Sequence, residues 1–140
     1  MLLLVTVTGC AAYMHGFTTS RALDRYVLVG KDPGSFGYRR MKYAQGYHRP
    51  MKEFIKTNGT PDFIWEFRLP KHRYGMRLYY VDRDIVALLI QKDRSPDSII
   101  VQNERPLTEF ERLIYSKLTE QRSETDGEPI GIGIGSKSTE

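Results

Sequence analysis

Residues 61–92, "PDFIWEFRLPKHRYGMRLYYVDRDIVALLIQK", carry the pattern that decides the fold. In Phe63–Leu69, the residues Phe63, Trp65, Phe67 and Leu69 alternate with Ile64, Glu66 and Arg68. A period of two sends successive side chains to opposite faces of a pleated strand, so this segment reads as a strand with one buried face. "PKHRYG" closes it with a loop, "MRLYYV" is a second strand, "DRD" is a tight turn, and "IVALLIQK" is a third strand. The continuous apolar run of that third strand predicts burial on both faces. Three consecutive strands joined by short turns form an antiparallel meander. "IIVQN", residues 99–103, offers a fourth.

The flanks supply helices. In "HRPMKEFIKTNGTPD", Pro50 suits a first helical position, Met51, Phe54 and Ile55 fall at i, i+3 and i+4, and Gly59 stands where a helix ends. One amphipathic helix near 50–58 follows. In "PLTEFERLIYSKLTEQ", Thr108 and Glu111 form a Thr-x-x-Glu capping box. Phe110, Leu113, Ile114 and Leu118 then draw one apolar stripe expected to face the core. The fold expected is α+β: a three-stranded antiparallel meander, four-stranded with residues 99–103, packed against two amphipathic helices over residues 48–121. Residues 10–47 read as a tether and an irregular, glycine-rich segment. The tail, residues 122–140, reads as flexible because its Ile-Gly repeats are too glycine-rich to nucleate structure.

A chain of 140 residues has room for one domain with tails. The hydrophobic and charged fractions, 40% and 27%, suit a packed core, and the net charge of +4 fits an anionic partner. A single cysteine excludes an intramolecular disulfide and argues against a cysteine-based zinc site. His15, His48 and His72 fall in no metal-ligand spacing. Lys31 is followed by Asp32 rather than by the Ser or Thr of a P-loop, and Ser35 sits in Gly-Ser-Phe-Gly, not in a nucleophile elbow. Asp82 and Asp84 belong to a turn, where Asp is favoured for backbone reasons. The residues point to no catalytic site, no metal and no cofactor.

The most unusual composition is "YRRMKYAQGYHRPMKEFIK", residues 38–56. Arg39, Arg40, Lys42, Arg49, Lys52 and Lys56 stand there against the single acid Glu53, interleaved with Tyr38, Tyr43 and Tyr47. Such a segment can meet anionic headgroups, glycans or an acidic protein surface. It can also bind single-stranded nucleic acid, through phosphate contacts and base stacking. The third reading is a solvated basic face whose tyrosines cover the edge of the sheet.

At the N-terminus an apolar run, Leu2 to Val7, leads into Val7-Thr8-Gly9-Cys10. These four residues resemble the lipobox of bacterial lipoprotein signal peptides. The resemblance implies that residues 1–9 are removed and that Cys10 takes a diacylglyceryl group and an N-acyl chain. Each buried CH₂ of such chains contributes about 0.8 kcal/mol to membrane anchoring. Ala11 after the cysteine implies sorting to the outer membrane, facing the periplasm. Lipobox, helix, the "NGTPD" turn and the meander together resemble the SmpA/OmlA family of small lipoproteins, which support outer-membrane protein assembly. The resemblance covers residues 48–92: Gly59, Pro61 and Asp62 match its turn, and Trp65, Tyr79 and Tyr80 its sheet aromatics. Asp82-Arg83-Asp84 replaces the expected hairpin glycine, and the helix after Thr108 has no counterpart in that family. The function expected is that of a non-enzymatic binding or assembly module anchored to the envelope membrane through Cys10. The alternative is a soluble nucleic-acid-binding module that uses residues 38–56.

Overall fold

The meander lies at the centre of the sheet in the computed structural model, which describes residues 25–30, 32–124 and 131–133. In chain order the elements are β1 (Arg25–Leu28), α1 (Phe36–Tyr47), α2 (Arg49–Asn58), β2 (Phe63–Leu69), β3 (Arg73–Tyr80), β4 (Ile85–Gln91), β5 (Ile99–Arg105), α3 (Glu109–Glu124) and β6 (Gly131–Gly133). Every strand pairing is antiparallel, in the order β5-β4-β3-β2-β1-β6. The class is α+β.

The period of two sorts the core. Val27, Ile64, Met76, Leu78, Ala87 and Leu89 face α1 and α2, where they meet Met41, Ala44, Met51 and Ile55. Tyr26, Leu28, Phe63, Tyr79 and Val86 face the other way and are covered by Ile114 and Leu118 of α3. Phe63 and Tyr79 are register partners whose rings stack at 4.1 Å. That second face is covered only near the β3–β4 turn. Toward the opposite end Trp65, Phe67, Leu69, Leu88 and Ile90 are half-buried, and Ile100 is exposed.

The opposite end of the sheet holds three features. The Pro70–His72 turn joins β2 to β3 there, and residues 92–98 join β4 to β5. Because Leu28 pairs with Phe63 and Tyr26 with Trp65, the chain also enters β1 from that end.

Several expectations need correction. Residues 10–47 are not all tether and loop, since β1 and α1 lie within them. β3 begins at Arg73, so "RYG" belongs to the strand and not to the loop. β5 supplies the fourth strand offered by residues 99–103, whereas β1 and β6 extend the meander unexpectedly on its other side, and three helices, not two, stand among the described residues. Residues 131–133 of the supposed flexible tail pair with β1, while 125–130 and 134–140 lie outside the described residues. The apolar stripe of α3 is only half used: Ile114 and Leu118 are buried, but Phe110 and Leu113 are 60% and 51% exposed. The helix covers less of the sheet than its stripe could. The capping box forms as expected, with the Thr108 N–H donating to Glu111 Oε2 at 2.9 Å and the Glu111 N–H to Thr108 Oγ1 at 3.2 Å.

The buried tyrosines give the fold a pH limit. Burial pushes the Tyr80 phenol up to about 12, and it raises Tyr79 and Tyr74 as well, aided at Tyr74 by the negative Glu66 beside it. Each keeps its proton when folded at a pH where the unfolded chain gives it up. Stability is therefore whole below about pH 10 and falls as pH rises toward 12, by at most about 1.4 kcal/mol per pH unit for each phenol. Urea midpoints measured across that range should fall steadily. A flat profile would mean that these phenols ionise without unfolding.

Candidate anion-binding cleft

Helix α1 is set against the sheet by its first turn. The Ser35 hydroxyl caps it by accepting the Tyr38 N–H at 3.3 Å, and donates to the Val29 carbonyl at 2.9 Å. Gly37 lies against the backbone of Leu28, so close that a Cβ would overlap its carbonyl oxygen. One turn on, Arg40 reaches into the core. Its Nε and one terminal nitrogen each donate to Glu66 at 2.7 Å, and the Tyr74 hydroxyl donates to the same carboxylate at 3.0 Å. Arg40 and Glu66 are 3% and 1% exposed. Burial alone would lower the Arg40 pKa, but the hydrogen-bonded carboxylate outweighs it and holds it above its ordinary value. Arg40 therefore cannot serve as a surface cation. The basic segment loses one expected member to the core.

His48 joins α1 to α2 with no intervening loop. Its N–H closes α1 on Ala44 O at 3.0 Å, and Pro50 occupies the first turn of α2, where the missing donor costs nothing. Its ring stacks on Tyr74 at 5.1 Å, and Nδ1 lies 3.0 Å from the Pro96 carbonyl. This joint brings the end of α1 beside the start of α2. Lys42, Gln45 and Tyr47 from α1, Arg49, Lys52 and Glu53 from α2, and Asp97 line a cleft of about 480 Å³. Lys42 also lies 5.6 Å from the centre of the Tyr38 ring. Gln45 is 8% exposed, and its Nε2 has no hydrogen-bond partner among the described residues. A buried amide donor without a partner is costly, which gives an acceptor oxygen entering the cleft something to satisfy.

The structure thus brings together Lys42, Arg49 and Lys52 and leaves Arg39 and Lys56 exposed outside the cleft. Cys10, His15 and the lipobox lie outside the described residues. Among the described residues no group of three or more His, Cys, Asp and Glu side chains could hold a metal, and no helix is long and apolar enough to cross a membrane.

No family model matches this chain, and no curated protein or solved structure matches it either.

A second basic cleft escapes a reading of the sequence. Pro70, Lys71 and Arg73 at the β2–β3 turn and Lys92, Asp93 and Arg94 after β4 line about 400 Å³ at the end of the sheet. The signal was present in two short runs, "KHR" at 71–73 and "KDR" at 92–94. They lie some twenty residues apart, and only the β3–β4 pairing reveals that they meet.

Proposed function

We propose that the protein is a non-enzymatic binding module of the bacterial envelope, anchored to a membrane by lipid on Cys10 and holding an anionic group of its partner in the α1–α2 cleft. The observation that carries the binding role is the cleft itself: three cations from two helices beside a buried, unpartnered amide donor. Glu53 and Asp97 leave it one positive charge in excess, which suits a single carboxylate or phosphodiester better than a polyanion. Val7-Thr8-Gly9-Cys10 supports the anchor. The order α2, Gly59-Thr60-Pro61-Asp62 turn and meander supports the likeness to the SmpA/OmlA lipoproteins, and with it a role in envelope assembly.

Two measurements test this reading. The mature native protein should begin at Cys10 and carry the mass of a diacylglyceryl and an acyl group, whereas an unmodified chain starting at Met1 removes the anchor. In solution, the Gln45 side-chain amide resonances should move on titration with acetate or inorganic phosphate. Lys42→Ala/Lys52→Ala should weaken that binding about tenfold or more, because a hydrogen bond to a charged group contributes about 1.5–3 kcal/mol. Unmoved resonances would remove the cleft from the proposal.

One observation favours the nucleic-acid reading: Tyr47 lines the same cleft and is 53% exposed. Affinity for a single-stranded oligonucleotide that falls steeply with salt and is lost in Tyr47→Ala would favour it over the envelope reading.

A further inference from the structure

We infer that the end of the sheet formed by the Pro70–His72 turn and the Lys92–Ser98 loop is a membrane-contacting surface that seats on anionic phospholipid and orients the tethered domain; the inference rests on the lipid-anchor reading and adds to it. Four cations, Lys71, Arg73, Lys92 and Arg94, surround the cleft there against the single carboxylate of Asp93. That carboxylate is engaged locally, accepting the Ser95 N–H at 2.7 Å. Lys71, Lys92 and Arg94 are exposed.

The backbone presents them at a cost. Lys71 and His72 are successive non-glycine residues with φ of 62° and 58°, in the left-handed region that side chains other than glycine avoid. Apolar surface adjoins the charges. Leu69 and Ile90 are half-buried and Ile100 is 39% exposed on the part of the sheet that α3 leaves uncovered. Basic side chains rimming an apolar shelf match a bilayer interface, where cations meet headgroup phosphates and apolar groups meet the acyl boundary.

Chain geometry permits this seating. The chain enters β1 at Arg25 from this same end of the sheet, and Cys10 lies 15 residues earlier. Fifteen residues span at most about 50 Å when fully extended. A lipid on Cys10 therefore leaves this end of the sheet within reach of the bilayer. Nucleic acid suits the surface less well. The Arg77 guanidinium lies 5.2 Å from the Trp65 ring centre and 5.9 Å from that of Phe67, and Glu104 holds it there through two hydrogen bonds of 2.9 and 3.1 Å. A base could not stack on those rings without displacing it.

The test uses the full chain carrying Cys10→Ser, which cannot be acylated, and vesicles of phosphatidylcholine alone or mixed equally with phosphatidylglycerol. Co-sedimentation should show a preference for the anionic vesicles. Lys71→Ala/Lys92→Ala/Arg94→Ala should weaken that preference about 100-fold, at about 1 kcal/mol for each cation near the surface. Arg39→Ala/Lys56→Ala/Lys117→Ala removes equal charge from exposed positions outside both clefts and should leave the preference intact. Matching thermal unfolding of the two variants shows that both fold. The inference is overturned by equal binding to both kinds of vesicle, by equal losses in the two triple variants, or by displacement with inorganic phosphate at constant ionic strength, which would mark a free-phosphate pocket. Displacement by a single-stranded oligonucleotide also overturns it. Acylation plays no part in this assay, so the inference can fail with Cys10 lipidated or hold with Cys10 free, and the native mass separates the two cases.

Discussion

Glu66→Ala is expected to destabilise the protein by about 3–5 kcal/mol, a large fraction of the roughly 5–15 kcal/mol that holds a domain folded. The Glu66 carboxylate accepts two hydrogen bonds from Arg40 and one from Tyr74. Its removal leaves a guanidinium that is 3% exposed with no counter-charge. The second terminal nitrogen of Arg40 already lacks a partner among the described residues, so the remaining side chain has little to turn to. Urea unfolding followed by fluorescence of Trp65, the single tryptophan, measures the loss. Glu66→Gln keeps an acceptor and should cost less. Arg40→Met/Glu66→Met removes both charges and should recover part of the loss, because apolar replacements of a buried ion pair are often neutral or stabilising, while the Tyr74 hydroxyl is left without its acceptor. A double-mutant cycle would then show a coupling of several kcal/mol between the two positions. If Glu66→Ala costs under about 1 kcal/mol, water reaches the pair, and Arg40 belongs again with the surface cations.

This ion pair also explains why α1 is hard to see in the sequence. Its inward face carries Arg40 and Gln45 beside Met41 and Ala44, so a scale that counts apolar residues finds no stripe. Two glycines and three tyrosines add no helix propensity. By contrast, α2 declares itself through Pro50, Met51, Phe54, Ile55 and Gly59, and Gly59, at φ 84° and ψ 178°, takes a backbone conformation essentially confined to glycine. β2 and the Thr108–Glu111 box were equally legible because each is decided locally. β1 and β6 are four and three residues long, too short for a period to register, and exist through pairing with residues far along the chain. Phe110 and Leu113 mislead for the opposite reason: the helix period places them on the stripe, but Phe110 meets the sheet only edge-on at Tyr26, and both stay more than half exposed.

The candidate sites divide in the same way. Lys42, Arg49 and Lys52 lie within eleven residues, and a two-helix joint at His48 is enough to gather them. Lys71, Arg73, Lys92 and Arg94 need the whole hairpin of β3 and β4 to become neighbours. Both clefts border the segment after β4, one through Asp97 and the other through Lys92, Asp93 and Arg94. The two clefts therefore meet at one end of the fold, while Asp62, Asp82 and Asp84 cluster at the other. There the Asp62 carboxylate accepts the Val81 N–H, and Asp84 accepts from Leu107 and Arg112.

Two identical substitutions in α1 are expected to act with opposite sign. Glycine to alanine inside a helix ordinarily stabilises by about 0.5–1 kcal/mol, because glycine loses more backbone freedom on folding. At Gly46 a Cβ meets nothing within 4 Å, so Gly46→Ala should stabilise by about 0.5 kcal/mol, near the lower end because the helix stops one residue later. At Gly37 the same methyl group falls on the carbonyl oxygen of Leu28 and crowds Val29 Cα at 3.0 Å. Backbone cannot rotate aside as a side chain can, so either α1 lifts from β1 or the β1–β2 pairing shifts. A lifted helix also strains the Ser35 contact with Val29 and the reach of Arg40 to Glu66. Gly37→Ala is therefore expected to destabilise by about 3 kcal/mol, the upper part of the range for overpacking. It should also weaken anion binding at Lys42 and Gln45, which ride on the same helix. Thermal unfolding of the two variants side by side decides the matter. A neutral Gly37→Ala would show that α1 stands off the sheet, and the placement of the α1–α2 cleft would then have to be drawn again.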